Sequence, residues 1–399
     1  MIGNKPSRRS LFFCLRNSFI PILSIEQIRI HPMQRPHVRD LGFDHWLLPT
    51  GTHNAITDVA GVRVGHTTLI LGDGPLCPGQ GPVRTGVTVI LPHADNLFQE
   101  KVIAAAHTIN GFGKACGLEQ VRELGLLETP IALTNTLNVW LMADALAQHA
   151  IQQNPAIGIR TSTVNPVVGE CNDGYLNDIQ GRHVRAEHLF AAIASATGGP
   201  VAEGAVGAGA GTSCFGWKGG IGTSSRRLTD AAGGFTLGAL VQSNFGSPHE
   251  LIMGGIPVGR SLQPPRETPI QPPAQGSIMI VLATDAPLTS RQLQRLCGRV
   301  TVGLARTGSQ IGHGSGDFVI AFSTAQRIPH TPTTLTSPMI MLLDEASVIE
   351  WLFLAVAECV EEAVLNSLCQ AMTVIGRDGH TRYALPVEEV RRLVVRGNN

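Results

Sequence analysis

The chemistry of this chain concentrates at Gly276-Ser277. A Pro-rich connection runs from Ser261 through Pro264, Pro265, Pro269, Pro272 and Pro273 and stops at Gly276. Such a segment joins neither a central sheet nor a helix. It gives way to Ser277-Ile-Met-Ile-Val-Leu-Ala-Thr-Asp285, a strong buried-strand signal. A serine at that junction gains a function if the bond before it breaks. Its new α-amino group has a pKa near ~8, close enough to neutral pH to take the proton of its own hydroxyl. Nucleophile and base then occupy one residue. Glycine at 276 tolerates the strained geometry in which the hydroxyl attacks the preceding carbonyl and moves the acyl group from N to O. By itself the same pair is a very common loop-to-strand boundary, and local sequence alone favours that ordinary reading.

Other chemistries fit less well. No G-x-S-x-G elbow is present. The run at Gly207, Gly209 and Gly211 lacks the G-x-G-x-x-G spacing of a dinucleotide site. In Gly111-Phe-Gly113-Lys114-Ala115 the first glycine is misplaced for a phosphate loop, and Ala115 offers no hydroxyl to Mg²⁺. The fourteen histidines contain no H-E-x-x-H, and the eight cysteines no C-x-x-C. A mechanism without metal or cofactor is the simpler expectation. With formal net charge zero and 15% charged residues, the chain has no basic stripe for nucleic acid. No apolar run approaches the ~18 residues that would read as a membrane span.

The elements that must position Ser277 read as an α+β fold. Length (399 residues), a 43% hydrophobic share and 45 glycines suit packed sheets with tight turns. Residues 54–70 read as a strand pair, 71–82 as a Gly/Pro loop, and 86–91, 131–136, 236–244 and 317–323 as strands or strand ends. Helices are expected over 119–127, 139–153, 186–197, 290–309 and 344–372. Residues 166–178 read as a polar loop. Residues 1–41 read as a disordered extension, with Met33 an alternative beginning. Arg8-Arg9 followed by Leu11-Phe12-Phe13 looks like a twin-arginine signal. However, Arg16 and Asn17 interrupt the apolar stretch and no small-residue cleavage site follows. Cytoplasmic placement is the expectation, periplasmic export the alternative.

Several longer runs occur in order from about residue 42 onward. They are Asn54-Ala-Ile-Thr-Asp-Val-Ala-Gly61 with Val62-Arg-Val-Gly-His66, Ile109-Asn-Gly-Phe-Gly-Lys114, Glu128-Thr-Pro-Ile-Ala-Leu-Thr-Asn-Thr136 and Lys218-Gly-Gly-Ile-Gly-Thr-Ser-Ser-Arg226. Gly276-Ser277 with Ala283-Thr-Asp-Ala-Pro287 follows, then Gly314-Ser-Gly-Asp317 and Ala321-Phe-Ser-Thr324. Together they resemble the DmpA-type family of L-aminopeptidase/D-esterases and β-peptidyl aminopeptidases. The resemblance implies a four-layer αββα sandwich and one catalytic domain over 42–399, cut by its own chemistry after Gly276. It also implies a homo-oligomer of the cut pairs. The activity implied is release of N-terminal residues from small peptides, amino-acid amides or esters through an acyl-enzyme on Ser277. Asn244 falls where the family supplies an oxyanion-hole amide, and Ser315 and Asp317 where a serine and an acidic residue flank the nucleophile's amine. On local sequence alone, Asn244 ending a strand and Asp317 capping a turn are the favoured readings. Trp140 and Asn172 stand where well-known relatives carry other residues, so substrate preference does not transfer. With Tyr175 they are pocket candidates outside the catalytic set. An ornithine-acetyltransferase-like acyl transferase, which uses threonine, and a non-catalytic binding descendant are the rival readings.

Overall fold

The computed structural model describes residues 35–265, 276–343 and 345–397. The expectation of a disordered extension lies outside these residues for positions 1–34, but 35–41 correct it. Val38–Leu41 form a 3-10 turn whose Val38 and Leu41 are buried in the main core. Arg35 donates to the carbonyls of Cys369 and Leu385, both at 2.6 Å. Two apolar side chains and an arginine with carbonyl partners tie this stretch to the body.

The first half of the chain lays down β1 (Arg63–Leu71), β2 (Val83–Leu91), β3 (Glu100–Gly111), α1 (Leu118–Leu124), β4 (Leu126–Leu127) and β5 (Ile131–Asn135). Helix α2 (Val139–Gln153), strand β6 (Val167–Cys171) and helix α3 (Ala186–Ala194) follow. A small hairpin, β7 (Ser213–Cys214) and β8 (Trp217–Lys218), precedes β9 (Ile221–Arg227), β10 (Thr236–Asn244) and the single turn α4 (Val258–Ser261). Beyond the Pro-rich connection come β11 (Ser277–Thr284), α5 (Ser290–Cys297), α6 (Val300–Arg306), β12 (Gly316–Pro329) and α7 (Val348–Cys369). A short pair, β13 (Val374–Ile375) and β14 (Thr381–Arg382), leads to α8 (Val387–Gly397).

One sheet has the order β1-β2-β5-β6, the other β4-β3-β12-β11-β10-β9. Strand alternation sorts the side chains between layers. On β11, Met279, Val281 and Ala283 join a core with Ile90, Ile131, Leu133 and Val167 of the other sheet. Ile278, Ile280 and Leu282 face outward to Leu293 of α5, Leu304 of α6 and Val356, Val360 and Val364 of α7. Val87, Val89 and Ala132 of the smaller sheet pack outward on Met142 and Leu146 of α2 and Leu189 of α3. The result is helices, sheet, sheet, helices: a four-layer αββα sandwich.

Several elements differ from their sequence expectation. Residues 54–70 hold one strand, because Asp58 accepts from the N–H groups of His53 and Ala55 at 2.9 and 3.0 Å and bends 56–58 into a 3-10 turn. The helix expected over 290–309 breaks at Gly298-Arg299 into α5 and α6. The loop expected over 166–178 begins with β6, wholly buried and parallel to β5. The long last helix is shorter than expected and is followed by α8.

Candidate active site

Ser277 is the first residue of β11, between β10 and β12. Antiparallel pairing sets it opposite Asn244, the last residue of β10, and parallel pairing sets it beside Gly316, the first residue of β12. Three strand ends therefore meet at one point, although their residues lie far apart in sequence. Asn244 Nδ2 donates to Ser277 Oγ at 3.3 Å. The amide cannot turn round, since its Oδ1 accepts from the backbone N–H of Ser213 at 3.0 Å.

The carbonyl of Gly276 accepts from the N–H of Gly316 at 3.1 Å. The bond before Ser277 is thus held by the sheet's own ladder. Ser315 donates from Oγ to Asp317 Oδ1 at 2.5 Å. A Cβ built on Gly276 would stand 3.0 Å from that Ser315 oxygen, so the hydroxyl lies against the residue preceding Ser277. Both Ser315 and Asp317 are buried. Burial pushes the Asp317 carboxyl up to about 6, against hydrogen bonds from Ser315 and the Ile278 N–H that favour its charged form. Among the described residues Asp317 Oδ2 has no partner.

From the facing sheet, Cys171 at the end of β6 brings its sulfur to the Ser277 hydroxyl and donates to the Gln242 carbonyl at 3.2 Å. Burial raises this thiol well above its usual range, so it meets Ser277 as a neutral group. The preceding Glu170 is tied to the Thr136 hydroxyl and to the Lys114 N–H at 3.0 Å, and burial raises its carboxyl.

Of the residues singled out in the sequence, Gly276, Ser277, Asn244, Ser315 and Asp317 come together. The pocket candidates scatter. Trp140 is 56% exposed on the first turn of α2. Asn172 is exposed and spends its Oδ1 on the Gly174 N–H at 2.9 Å. Tyr175 stacks on His380 at 4.5 Å between ring centres, with the Arg382 guanidinium 3.6 Å over its ring. Arg382 also donates to Ser213 Oγ at 3.1 Å, which links Tyr175 to the residue that orients Asn244. Sequence reading missed Cys171 and the backbone N–H groups of Ser213 and Gly316. Backbone donors leave no signature in residue type, and Cys171 sat inside the presumed loop.

A serine at the head of a central strand, with a bonded carbonyl before it and an amide on its hydroxyl, suits the N-terminal-nucleophile class of self-cutting hydrolases. Residues 54–382 match Peptidase family S58. The PH0078 protein of Pyrococcus horikoshii OT3 is 50% identical, with 91% of this chain and 100% of that chain covered at a TM-score of 0.86. The L-aminopeptidase D-Ala-esterase/amidase of Ochrobactrum anthropi, described as a variant of the Ntn hydrolase fold, is 36% identical over 91% of this chain and 99% of that one, TM-score 0.83. The beta-peptidyl aminopeptidase BapA of Sphingosinicella microcystinivorans is 40% identical over 90% of this chain and 92% of its own length. The chain belongs to peptidase family S58 and is an autoprocessing serine aminopeptidase/amidase.

Proposed function

We propose that Ser277 is the nucleophile of both self-cleavage and turnover, and that small peptides, amino-acid amides and esters with a free N-terminus are the substrates. The observation that carries this is the Gly276–Ser277 bond itself, seated in the sheet with Asn244 on the hydroxyl and Gly316 on the carbonyl. In the first reaction Ser277 Oγ attacks the Gly276 carbonyl carbon while the Gly316 N–H stabilises the developing oxyanion. The C–N bond breaks and the hydroxyl proton passes to the Ser277 nitrogen. Water then hydrolyses the ester, leaving Gly276 with a carboxylate and Ser277 with a free amine.

That amine is the base of the second reaction. It takes the hydroxyl proton as Oγ attacks the substrate carbonyl, then gives the proton to the leaving amine or alcohol. Asn244 Nδ2 supports the tetrahedral oxyanion, a contribution of about 3 kcal/mol in comparable sites. The Ser315-Asp317 pair holds and tunes the amine. Water releases the acyl group along the same proton route. In the uncut chain Ser277 is only 4% exposed, so its hydroxyl serves the Gly276 bond before it serves a substrate. Relatives named as β-peptidyl aminopeptidase and as L-aminopeptidase D-Ala-esterase/amidase leave the acyl residue to a panel of L-alanyl, D-alanyl and β-homoalanyl p-nitroanilides.

Two further readings accompany this one. A homo-oligomer of cut pairs accounts for the exposed apolar stretch with Leu335, Met339, Ile340, Met341 and Leu343, and light scattering tests it. Seven free thiols among the described residues suit the cytoplasm. The central test is intact mass with activity: two chains divided at 276/277 in active wild type, one inert chain in Ser277→Ala. An active, undivided Ser277→Ala protein overturns the proposal.

A further inference from the structure

Lys218, the last residue of β8, is fully buried. Its ammonium donates to the carbonyls of Gly209, Thr212 and Gly219, each at 2.8 Å. Three acceptors use all three N–H bonds of an ammonium, and a neutral amine has only two. Burial pushes Lys218 down to about 7, opposed chiefly by Asp173, whose own carboxyl burial lifts to about 7; Arg382 works in the direction of burial. Asp173 is itself fully buried and accepts from Asn177 Nδ2 at 3.0 Å. A desolvated cation is a costly device for tying down a glycine-rich loop, which backbone hydrogen bonds alone could close.

The peptide unit between Thr212 and Ser213 explains the expense. Its carbonyl accepts from Lys218, and its N–H donates to Asn244 Oδ1 at 3.0 Å. Asn244 then offers Nδ2 to Ser277 Oγ at 3.3 Å. Ammonium, peptide, side-chain amide and hydroxyl form one head-to-tail chain in which every dipole points the same way, so each bond polarises the next. The loop has little room to rearrange. A Cβ on Gly209 would come within 2.5 Å of the Ile221 nitrogen, and one on Gly211 within 2.1 Å of the Arg84 carbonyl oxygen.

We propose that Lys218 is a positioning residue for the hydrolytic reaction: through the Thr212–Ser213 peptide, its charge orients and polarises the Asn244 amide toward the oxyanion. This rests on the reading of Ser277 and Asn244 given above. Lys218 touches neither substrate nor nucleophile. Its effect must therefore pass through Asn244, and this separates the role from general support of the fold.

A double-mutant cycle on the full chain tests it. Lys218→Met and Asn244→Ala are made singly and together. Intact mass gives the cleaved fraction, so that kcat on an aminoacyl p-nitroanilide is expressed per free Ser277 amine. Asn244→Ala lowers kcat by roughly 10²-fold or more. Lys218→Met lowers it by about tenfold with KM little changed, and adds no more than about twofold in the Asn244→Ala background. Losses that multiply overturn the relay while leaving the Asn244 assignment intact. Full kcat in Asn244→Ala alone overturns that assignment, and the relay with it. If Lys218→Met does not fold, Ser213→Pro removes the relay N–H together with the hydroxyl that accepts from Arg382, and Ser213→Ala, which loses only that hydroxyl, is the control. The same absorption into Asn244→Ala is expected for Ser213→Pro, and multiplication again overturns the relay.

Discussion

Replacing Gly276 separates the making of this enzyme from its running. A Cβ at this position meets Ser315 Oγ at 3.0 Å, Phe245 Cβ at 3.1 Å and Phe245 Cα at 3.3 Å. These neighbours yield poorly. Ser315 is fixed by Asp317, while Phe245 accepts through its carbonyl from the Phe215 N–H at 2.7 Å and packs edge-on against the Phe215 ring. Gly276 is not among the positive-φ residues, so space rather than backbone strain is the obstacle. Relief falls on Gly276 itself and draws its carbonyl carbon from the Ser277 hydroxyl. A displacement of about 1 Å costs roughly 10² in rate, so the few tenths demanded by Gly276→Ala slow self-cleavage about three- to tenfold. Gly276→Val places two further methyl groups in the same gap and slows it by about 10²-fold or more. The assay is intact mass of samples withdrawn at intervals after cell-free synthesis, fitted to a single exponential. Once the bond is cut, position 276 is no longer joined to the nucleophile, and kcat per free Ser277 amine stays within about twofold of wild type. Wild-type processing in Gly276→Val, or a cleaved Gly276→Ala enzyme with depressed kcat, refutes the reasoning.

Asn244→Asp keeps the backbone pairing and the Ser213 contact but turns a carboxylate oxygen to the nucleophile. Steady-state kinetics then show kcat down by at least about 10²-fold with KM little changed, and a loss confined to KM contradicts the oxyanion role. Asp317, with its carboxyl pushed up to about 6, is ionised at neutral pH, where its charge favours the ammonium form of Ser277. Asp317→Asn removes that preference, so the acid limb of the kcat/KM profile moves down by about one pH unit; an unmoved limb refutes it. Arg226 is fully buried and bonds Glu358 at 2.8 Å and Glu362 at 2.7 Å. Arg226→Met leaves Glu358 without its cation and Glu362 with Arg39 alone, and lowers unfolding free energy by about 3–5 kcal/mol in denaturant titration of the undivided Ser277→Ala chain; a change under about 1 kcal/mol contradicts this.

Much of the scaffold was legible because its signals were local. Helix α2 spans the residues its apolar spacing indicates, and β11 follows the end of the Pro-rich segment as an unbroken apolar run. Strand β6 was hidden because Gly169 and Glu170 interrupt its apolar run, yet both are buried by the facing sheet and by Thr136 and Lys114. In the site, residue types were readable but partnerships were not. That Asn244, Ser277 and Gly316 share one rung depends on strand register across long sequence separations, which no local pattern carries. The contributions of Ser213 and Gly316 are backbone N–H groups, identical in every residue but proline. Lys218 stood in a readable motif, but nothing in its neighbours announced three carbonyls.

The order of the larger sheet gives the cut a lasting consequence. Strands β12 and β11, made after Ser277, lie between β3 on one side and β10 on the other, both made before it. Helix α7 is pinned through Glu362 to Arg39 and Arg226, again across the cut. The precursor folds as one molecule, with its closure entropy limited by a continuous chain. Cleavage at the proposed Gly276–Ser277 bond burns that bridge. Once denatured, the two pieces must find each other by diffusion, so recovery becomes a second-order process and persistence in the cell depends on how slowly the interleaved sheet opens.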